Sequence, residues 1–317
     1  MYKSLQNSDF QGAYSAFGRA AEAALVASLR FLFVFCLFCN FVDMKILLAN
    51  DDGYLAGGLQ ALADVMAGFG DVTVVAPKFH QSAMSMSVSL GRRKLAFKDL
   101  PQMGPGSWHY LDATPASCVK FGLEYFYEHR NPDLFVSGIN HGSNASTASN
   151  YSATMGAAEE AALNGVKAIG VSLCNFSEHA DFSMVKKYLP RIVSMLLDNW
   201  PADSYGLYYN VNFPDVEEPR GVRVTRQGRG HWEKEFQEWD SATLDAYAST
   251  GFGLGSHMVD LEPGEKAYMM VGDFIDDEPG NLDADHVAND AGWITITPCN
   301  LDQTDYKEYN RLSSLSF

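Results

Sequence analysis

The apolar positions of this chain fall into short unbroken runs, separated by stretches in which apolar residues recur at helical spacing. Ile46-Leu47-Leu48-Ala49 is a continuous run of strand length, Leu59 to Phe69 repeats with a helical period, and Val72-Thr73-Val74-Val75-Ala76 is β-branched and stops at Pro77. His109-Tyr110-Leu111 predicts another strand, and Pro115, suited to a first helical turn, predicts a helix through Tyr127. Leu134-Phe135-Val136 predicts a buried strand ending at Ser137-Gly138. Met155 to Leu163 predicts a small-residue helix closed by Asn164-Gly165, and Ala168-Ile169-Gly170-Val171 the strand after it. A helix over Val185 to Leu197 and a strand over Tyr208-Tyr209-Asn210-Val211 follow. Strands that are apolar throughout, alternating with helices, are what a mostly parallel sheet covered on both faces requires. The prediction is an α/β fold with a Rossmann-like three-layer core.

After Pro214 the texture changes. Residues 215–265 are charged, aromatic and Gly-rich with no strand–helix alternation, which predicts an extension: a hairpin arm that covers a site or reaches a neighbouring subunit. Asp285 to Ala291 then predicts a short helix leading into a late strand, Trp293-Ile294-Thr295-Ile296-Thr297. The expected organisation is therefore an N-terminal extension at 1–43, a core at 44–214, an arm at 215–265, and a return to the core with a tail at 266–317. Within the extension, Ala23 to Val42 is apolar apart from Ser28, Arg30 and Asn40. A signal peptide fits poorly, because basic residues are sparse and Cys39-Asn40-Phe41-Val42 is a poor cleavage site. A membrane anchor is opposed by Arg30 inside the only candidate window. Translation starting at Met44, directly before the first strand, is the favoured reading.

Composition narrows the function. Across 317 residues, 47% hydrophobic and 20% charged, the chain has globular proportions. Lys plus Arg number 23 against 39 Asp plus Glu, a formal charge of -16. That leaves no basic surplus for a nucleic-acid backbone. An anionic small substrate would need a metal ion or oriented amides to neutralise it locally. The five cysteines, at 36, 39, 118, 174 and 299, are odd in number and scattered, which indicates free thiols in a reducing compartment.

Candidate chemistry gathers after the predicted strands. Asn50-Asp51-Asp52-Gly53 follows the first one, where open α/β sheets bind ligands. Two adjacent carboxylates suit a hard divalent cation, although Asn-Asp-Gly is also good turn chemistry. A hydroxyl-rich loop containing Gln81-Ser82, whose hydroxyls could ligate a metal or bond phosphate oxygens, follows the second strand; taken alone it reads better as a polar surface loop. After the strand at 134–136 come Ser137-Gly138-Ile139-Asn140-His141-Gly142-Ser143-Asn144 and Tyr151-Ser152-Ala153-Thr154-Met155-Gly156, glycines and hydroxyls opening a helix whose N-terminus can take an anion. His141 reads either as an acid or base or as a solvated loop residue. No Walker pattern is present. The convergence of three strand ends offering Asp-Asp, Ser and Asn favours a functional site.

At these residues the sequence resembles the SurE family of survival proteins, metal-dependent nucleotidases. The likeness spans Met44 to Thr304 and includes Asn50-Asp51-Asp52-Gly53, Gln81-Ser82, Ala113-Thr114-Pro115-Ala116-Ser117-Cys118-Val119 and Pro132-Asp133-Leu134-Phe135-Val136-Ser137-Gly138-Ile139-Asn140. Tyr151-Ser152-Ala153-Thr154 and Ile294-Thr295-Ile296-Thr297-Pro298 also match. The resemblance implies that Asp51, Asp52, Ser82 and Asn140 hold one divalent cation per subunit, Mg²⁺ or Mn²⁺, with Asp51 and Asp52 catalytic. It implies hydrolysis of nucleoside 5′- or 3′-monophosphates, a cytoplasmic setting, and homodimers or homotetramers built partly through exchanged C-terminal arms. On that mechanism Asn140, Ser152 and Thr154 hold the substrate phosphate. The family usually has Gly where Ala83, Ala113, Ala145 and Ala153 stand, and Asp where Ser117 stands. Added methyls near a phosphate cradle put substrate preference in question. The rival reading is a non-hydrolytic nucleotide or sugar-nucleotide binding protein using Asp283-Ala284-Asp285. Gly251-Phe252-Gly253-Leu254-Gly255 is not a dinucleotide fingerprint, because no strand precedes it and no helix follows.

Overall fold

The computed structural model describes residues 44–238 and 261–315, apart from residues 92, 102, 129, 130 and 178. The apolar runs form the strands β1 (Met44–Ala49), β2 (Gly70–Pro77), β5 (Leu134–His141), β6 (Ala168–Leu173) and β7 (Leu207–Phe213). Between them lie α1 (Gly57–Met66), α2 (Pro115–Tyr127), α3 (Ala153–Leu163) and α4 (Ser183–Asp198). Two short strands, β3 (Phe97–Asp99) and β4 (Ser107–Leu111), fall between β2 and α2, and a 3₁₀ turn spans Ser146–Asn150. β13 (Ile294–Asn300) returns antiparallel to β7, and β8 (Val222–Val224) closes that edge.

One nine-stranded sheet runs in the order β3-β4-β2-β1-β5-β6-β7-β13-β8, parallel from β4 through β7. Leu47, Ala49, Val75, Leu111 and Phe135 pack on one face against Cys118, Val119 and Leu123 of α2 and Met155, Ala158 and Ala161 of α3. α1 and α4 pack together. α1 lies so near β5 that a methyl on Gly58 would sit 2.1 Å from the Ile139 carbonyl oxygen. The predicted three-layer core is the observed one. From β1 the chain moves to β2 on one side, while β5 pairs on the other. The strand order therefore reverses between β1 and β5, where α/β sheets open a ligand crevice at their carboxyl ends.

Beyond β7, β9 (Gly230–Glu233) pairs with β12 (Asp273–Asp276) and β10 (Phe236–Glu238) with β11 (Tyr268–Met270), both antiparallel. Of these ribbons only β9 and β10 fall within 215–265, the region expected to be an arm, while their partners β11 and β12 lie in 266–317, expected to return to the core; residues 239–260, including the Gly251–Gly255 run, lie outside the described residues. α5 (Asp285–Asp290) leads into β13, as predicted, and α6 (Tyr306–Ser313) ends the chain. α6, β3 and the 3₁₀ turn are absent from the sequence prediction. α6 buries no residue, so no apolar stripe marks a buried face. The apolar segment at 23–42 also lies outside the described residues. Among those described, no helix is long and apolar enough to cross a membrane.

Candidate active site at the strand-order reversal

β1 delivers Asn50-Asp51-Asp52-Gly53 to the crevice, and here turn and site coexist. Asn50 does the turn chemistry: its Nδ2 donates to the Gly53 carbonyl at 2.9 Å, and Gly53 takes φ +96. The carboxylates are thereby left for other work. Asp51 is buried, and its Oδ1 accepts from Thr154 Oγ1 at 2.6 Å. Its main-chain oxygen accepts from Gln81 N at 2.7 Å, tying the loop after β2 to the carboxylates.

Asn140 arrives by a different device. The β5–β6 register shifts between Ser137 and Asn140, an irregularity of the kind that re-aims side chains at sheet ends. Gly138 sits inside it at φ +126, where a methyl would meet the Val171 carbonyl oxygen at 2.2 Å. Asn140 Nδ2 donates to the Gly142 carbonyl at 2.8 Å, which assigns the other end of the amide as oxygen. That Oδ1 accepts from Thr154 Oγ1 at 3.3 Å. Thr154 therefore joins Asp51 to Asn140 across the reversal point.

Thr154 lies in the first turn of α3, whose N-cap Ser152 accepts from Met155 N at 3.1 Å. The Ser152 hydroxyl oxygen thus caps the helix, and the helix N-terminus brings its positive dipole end beside the carboxylates. Ser82 lies between two pins of the loop after β2. One is Gln81 N on Asp51; the other is Ser85, whose N donates to the Tyr151 carbonyl at 3.0 Å and whose hydroxyl donates to the Asn150 carbonyl at 2.9 Å. The Ser82 side chain is exposed. Of the predicted site residues, then, direct bonds link Asp51, Asn140 and Thr154. Asp52 adjoins them through the chain, Ser152 caps their helix, and Ser82 is carried past on a pinned loop.

The electrostatics of the pair are unequal. Burial, then the charge of Asp52, pushes Asp51 up to about 7. Burial also opposes ionisation of Asp52, but hydrogen bonds from His141 and His80 outweigh it and hold Asp52 down at about 2. His141 Nδ1 lies 2.9 Å and its main-chain N 3.4 Å from Asp52 Oδ2, while His80 Nδ1 lies 3.4 Å from Oδ1. His141 is mostly buried rather than solvated, and neither its partner nor that of His80 could be read from spacing. A carboxylate forced toward its neutral form by burial and then by a like-charged neighbour is a place where a cation relieves the strain. The available atoms are carboxylate, amide and hydroxyl oxygens, so the donor set fits a hard divalent cation held by Asp51, Asp52 and Asn140, with Ser82 on the adjoining loop.

Along the same edge, Lys78 Nζ stands 4.9 Å from the ring centre of exposed Phe79 and 5.6 Å from that of Tyr110, which lies 5.1 Å from the Tyr54 ring. This cationic and aromatic lip is carried on the carboxyl-end segments of β1, β2 and β4, the first of which also carries Asp51 and Asp52. Asp283-Ala284-Asp285, in contrast, does not converge. Asp283 is exposed and pairs with Arg223 at 3.1 Å. Asp285 is fully buried, its Oδ1 accepting main-chain N–H bonds from Ser146, Gly228 and His286. It is an anchor between the 3₁₀ turn, the arm base and α5.

A family profile described as "Survival protein SurE" matches residues 46–234. The chain is 39% identical over 272 residues to the protein named 5'-nucleotidase SurE of Cytophaga hutchinsonii, covering 84% of this chain and 95% of that one. It is 35% identical to its namesake in Christiangramia forsetii, covering 86% and 96%. Among solved structures, the SurE protein from Aquifex aeolicus superposes with a TM-score of 0.66 at 28% identity, covering 84% of this chain and 98% of that one. With the profile spanning more than half its length, and relatives matched over 95–96% of their own length, this chain belongs to the SurE family.

Proposed function

We propose that this protein is a metal-dependent phosphomonoesterase that hydrolyses nucleoside 5′-monophosphates, and 3′-monophosphates, to nucleoside and phosphate. The observation that carries the reading is the buried Asp51–Asp52 pair bridged by Thr154 to Asn140 at the N-terminus of α3. A divalent cation held by Asp51, Asp52, Ser82 and Asn140, Mg²⁺ or Mn²⁺, would supply Lewis acidity at a phosphate oxygen. The protein's own groups supply placement and charge complementarity, which is most of what phosphoryl transfer asks of an enzyme. The amide of Asn140, the hydroxyl of Ser152, and the main-chain N–H groups of the first turn of α3, that of Thr154 among them, would hold the phosphate. Thr154 also fixes Asp51 by donating to Oδ1. The exposed Phe79 ring, with Lys78 beside it, offers a stacking face for the base.

The non-hydrolytic alternative drew its support from Asp283-Ala284-Asp285, and those carboxylates are engaged separately, one at the surface and one in the interior. Exposed Phe236, Tyr268 and Met270 on the β10–β11 ribbon support assembly into homodimers or homotetramers through the arm. The free thiols of Cys118, Cys174 and Cys299 support a cytoplasmic setting. The test is phosphate release from a panel of nucleoside monophosphates by chelator-stripped protein. Hydrolysis should return with Mn²⁺ or Mg²⁺ and be abolished in Asp51→Asn. Folded protein inactive with either metal would reject the reading.

A further inference from the structure

His141 is the last residue of β5 and directly follows Asn140. It turns back toward the neighbouring strand end: Nδ1 lies 2.9 Å and its main-chain N 3.4 Å from Asp52 Oδ2. Both contacts fall on the same carboxylate oxygen, from one residue, across a separation of 89 positions. Phe182 packs against the ring in a T-shaped contact, centroids 5.3 Å apart with an interplanar angle of 86°. Its Nε2 is buried and has no hydrogen-bond partner. A bare ring nitrogen tolerates that position better than a buried, unpaired N–H does, so the geometry suits the tautomer with hydrogen on Nδ1. In that tautomer His141 donates and Asp52 accepts. His80 differs in exposure and in the oxygen it meets. Its side chain is 62% exposed, and its Nδ1 stands 3.4 Å from the other oxygen, Oδ1.

We propose that His141 is a positioning residue, which locks the Asp52 carboxylate by its Oδ2 and so presents Oδ1 to the cation. The proposal rests on the metal reading above. An outer partner of this kind acts by removing the rotational freedom of a ligand before the metal arrives, so its loss appears in metal affinity even when the fold is intact. The arrangement also divides labour along β5. Asn140 contributes its amide oxygen, and the next residue orients the ligand supplied by β1.

The test compares His141→Leu with His141→Asn in chelator-stripped full-length protein, reading Mn²⁺ affinity by titration calorimetry and folding by near-UV circular dichroism. Leucine fills much of the ring's space without a donor, whereas the asparagine amide nitrogen sits close to where the imidazole Nδ1 stood. His141→Leu should weaken Mn²⁺ binding about 10- to 100-fold, and His141→Asn should restore most of it. If His141→Leu does not fold, His141→Gln replaces it, because its amide nitrogen is carried one methylene too far to reproduce the contact. A purely structural role would lower the melting temperature and leave Mn²⁺ affinity unchanged in every folded variant. That result, or His141→Asn binding as weakly as His141→Leu, overturns the proposal alone. A wild-type protein that binds no Mn²⁺ would instead remove the metal reading, and the proposal with it.

Discussion

Gly156→Ala sets two effects of opposite sign against each other. Gly156 lies within α3, where helix propensity alone makes alanine better by about 1 kcal/mol. Packing argues the other way. A methyl there would stand 2.1 Å from the Ser85 carbonyl oxygen, 2.4 Å from its carbon and 2.7 Å from Met86 N. A relaxed carbon–oxygen contact is about 3.3 Å, so the loop main chain must retreat by about 1 Å. Ser85 is poorly placed to move: it sits at φ +49 and is bonded to the Tyr151 and Asn150 carbonyls. Overpacking costs about 1–3 kcal/mol, and loosening the two bonds adds on the order of 1 kcal/mol each. After the propensity gain is subtracted, the net loss is roughly 2–4 kcal/mol, and at about 2–4 °C per kcal/mol the melting temperature should fall by several degrees or more. Differential scanning calorimetry of the metal-free variant measures it. Because the displaced loop carries Ser82, Mn²⁺ affinity should fall as well. A Gly156→Ala protein as stable as wild type, or more stable, would refute the close packing of this loop on α3.

Asp51→Asn should stabilise the chelator-treated protein increasingly as pH rises. Burial and the Asp52 charge raise Asp51 from 3.8 to about 7, so across that window the folded state keeps a proton the unfolded chain has lost. Wild-type stability is therefore full below about pH 4 and declines toward pH 7; a melting-temperature difference that stays flat from pH 4 to 8 would contradict the assignment. Phe79→Ala should raise KM for AMP with kcat nearly unchanged, by roughly five- to a hundredfold if a base stacks there at about 1–3 kcal/mol. Ribose 5-phosphate, which has no base, should be turned over as in wild type, and an equal effect on both substrates would remove Phe79 from base recognition.

The parts of the fold that were legible in the sequence are those whose physics is local or repeats along the chain. The runs 46–49, 72–76, 134–136 and 168–171 were apolar without alternation because their strands lie inside the sheet with helices on both sides. The helix from Pro115 to Tyr127 was bounded correctly because proline suits its first turn, and Glu128 ends it in the left-handed region at φ +48. β5 runs on to His141 rather than stopping near Ser137-Gly138, because the irregularity there bends the strand without ending its pairing. β3 is only three residues at the sheet edge, paired to β4, too short to leave a period.

The site was legible as a set of residue types at strand ends, and illegible as a network. Thr154 reaches Asp51 across 103 positions and His141 reaches Asp52 across 89, so no spacing rule connects them. The four alanines that stand where the family resemblance implies glycine show the same limit. From the sequence all of them threatened the phosphate cradle. In the fold, Ala113, Ala145 and Ala153 are buried, their methyls packed into the protein. Ala83 alone bears a backbone penalty: it sits at φ +59, where an L side chain costs roughly 1–2 kcal/mol. It is exposed and directly follows Ser82. The strain of this chain's divergence therefore falls on the loop that brings Ser82 past the carboxylates, while Asp51, Asp52 and Asn140 keep rigid strand-end supports. Among these four positions, Ala83 is the one whose reversion to glycine should relax that loop, and the buried three are positions where glycine would open a cavity instead.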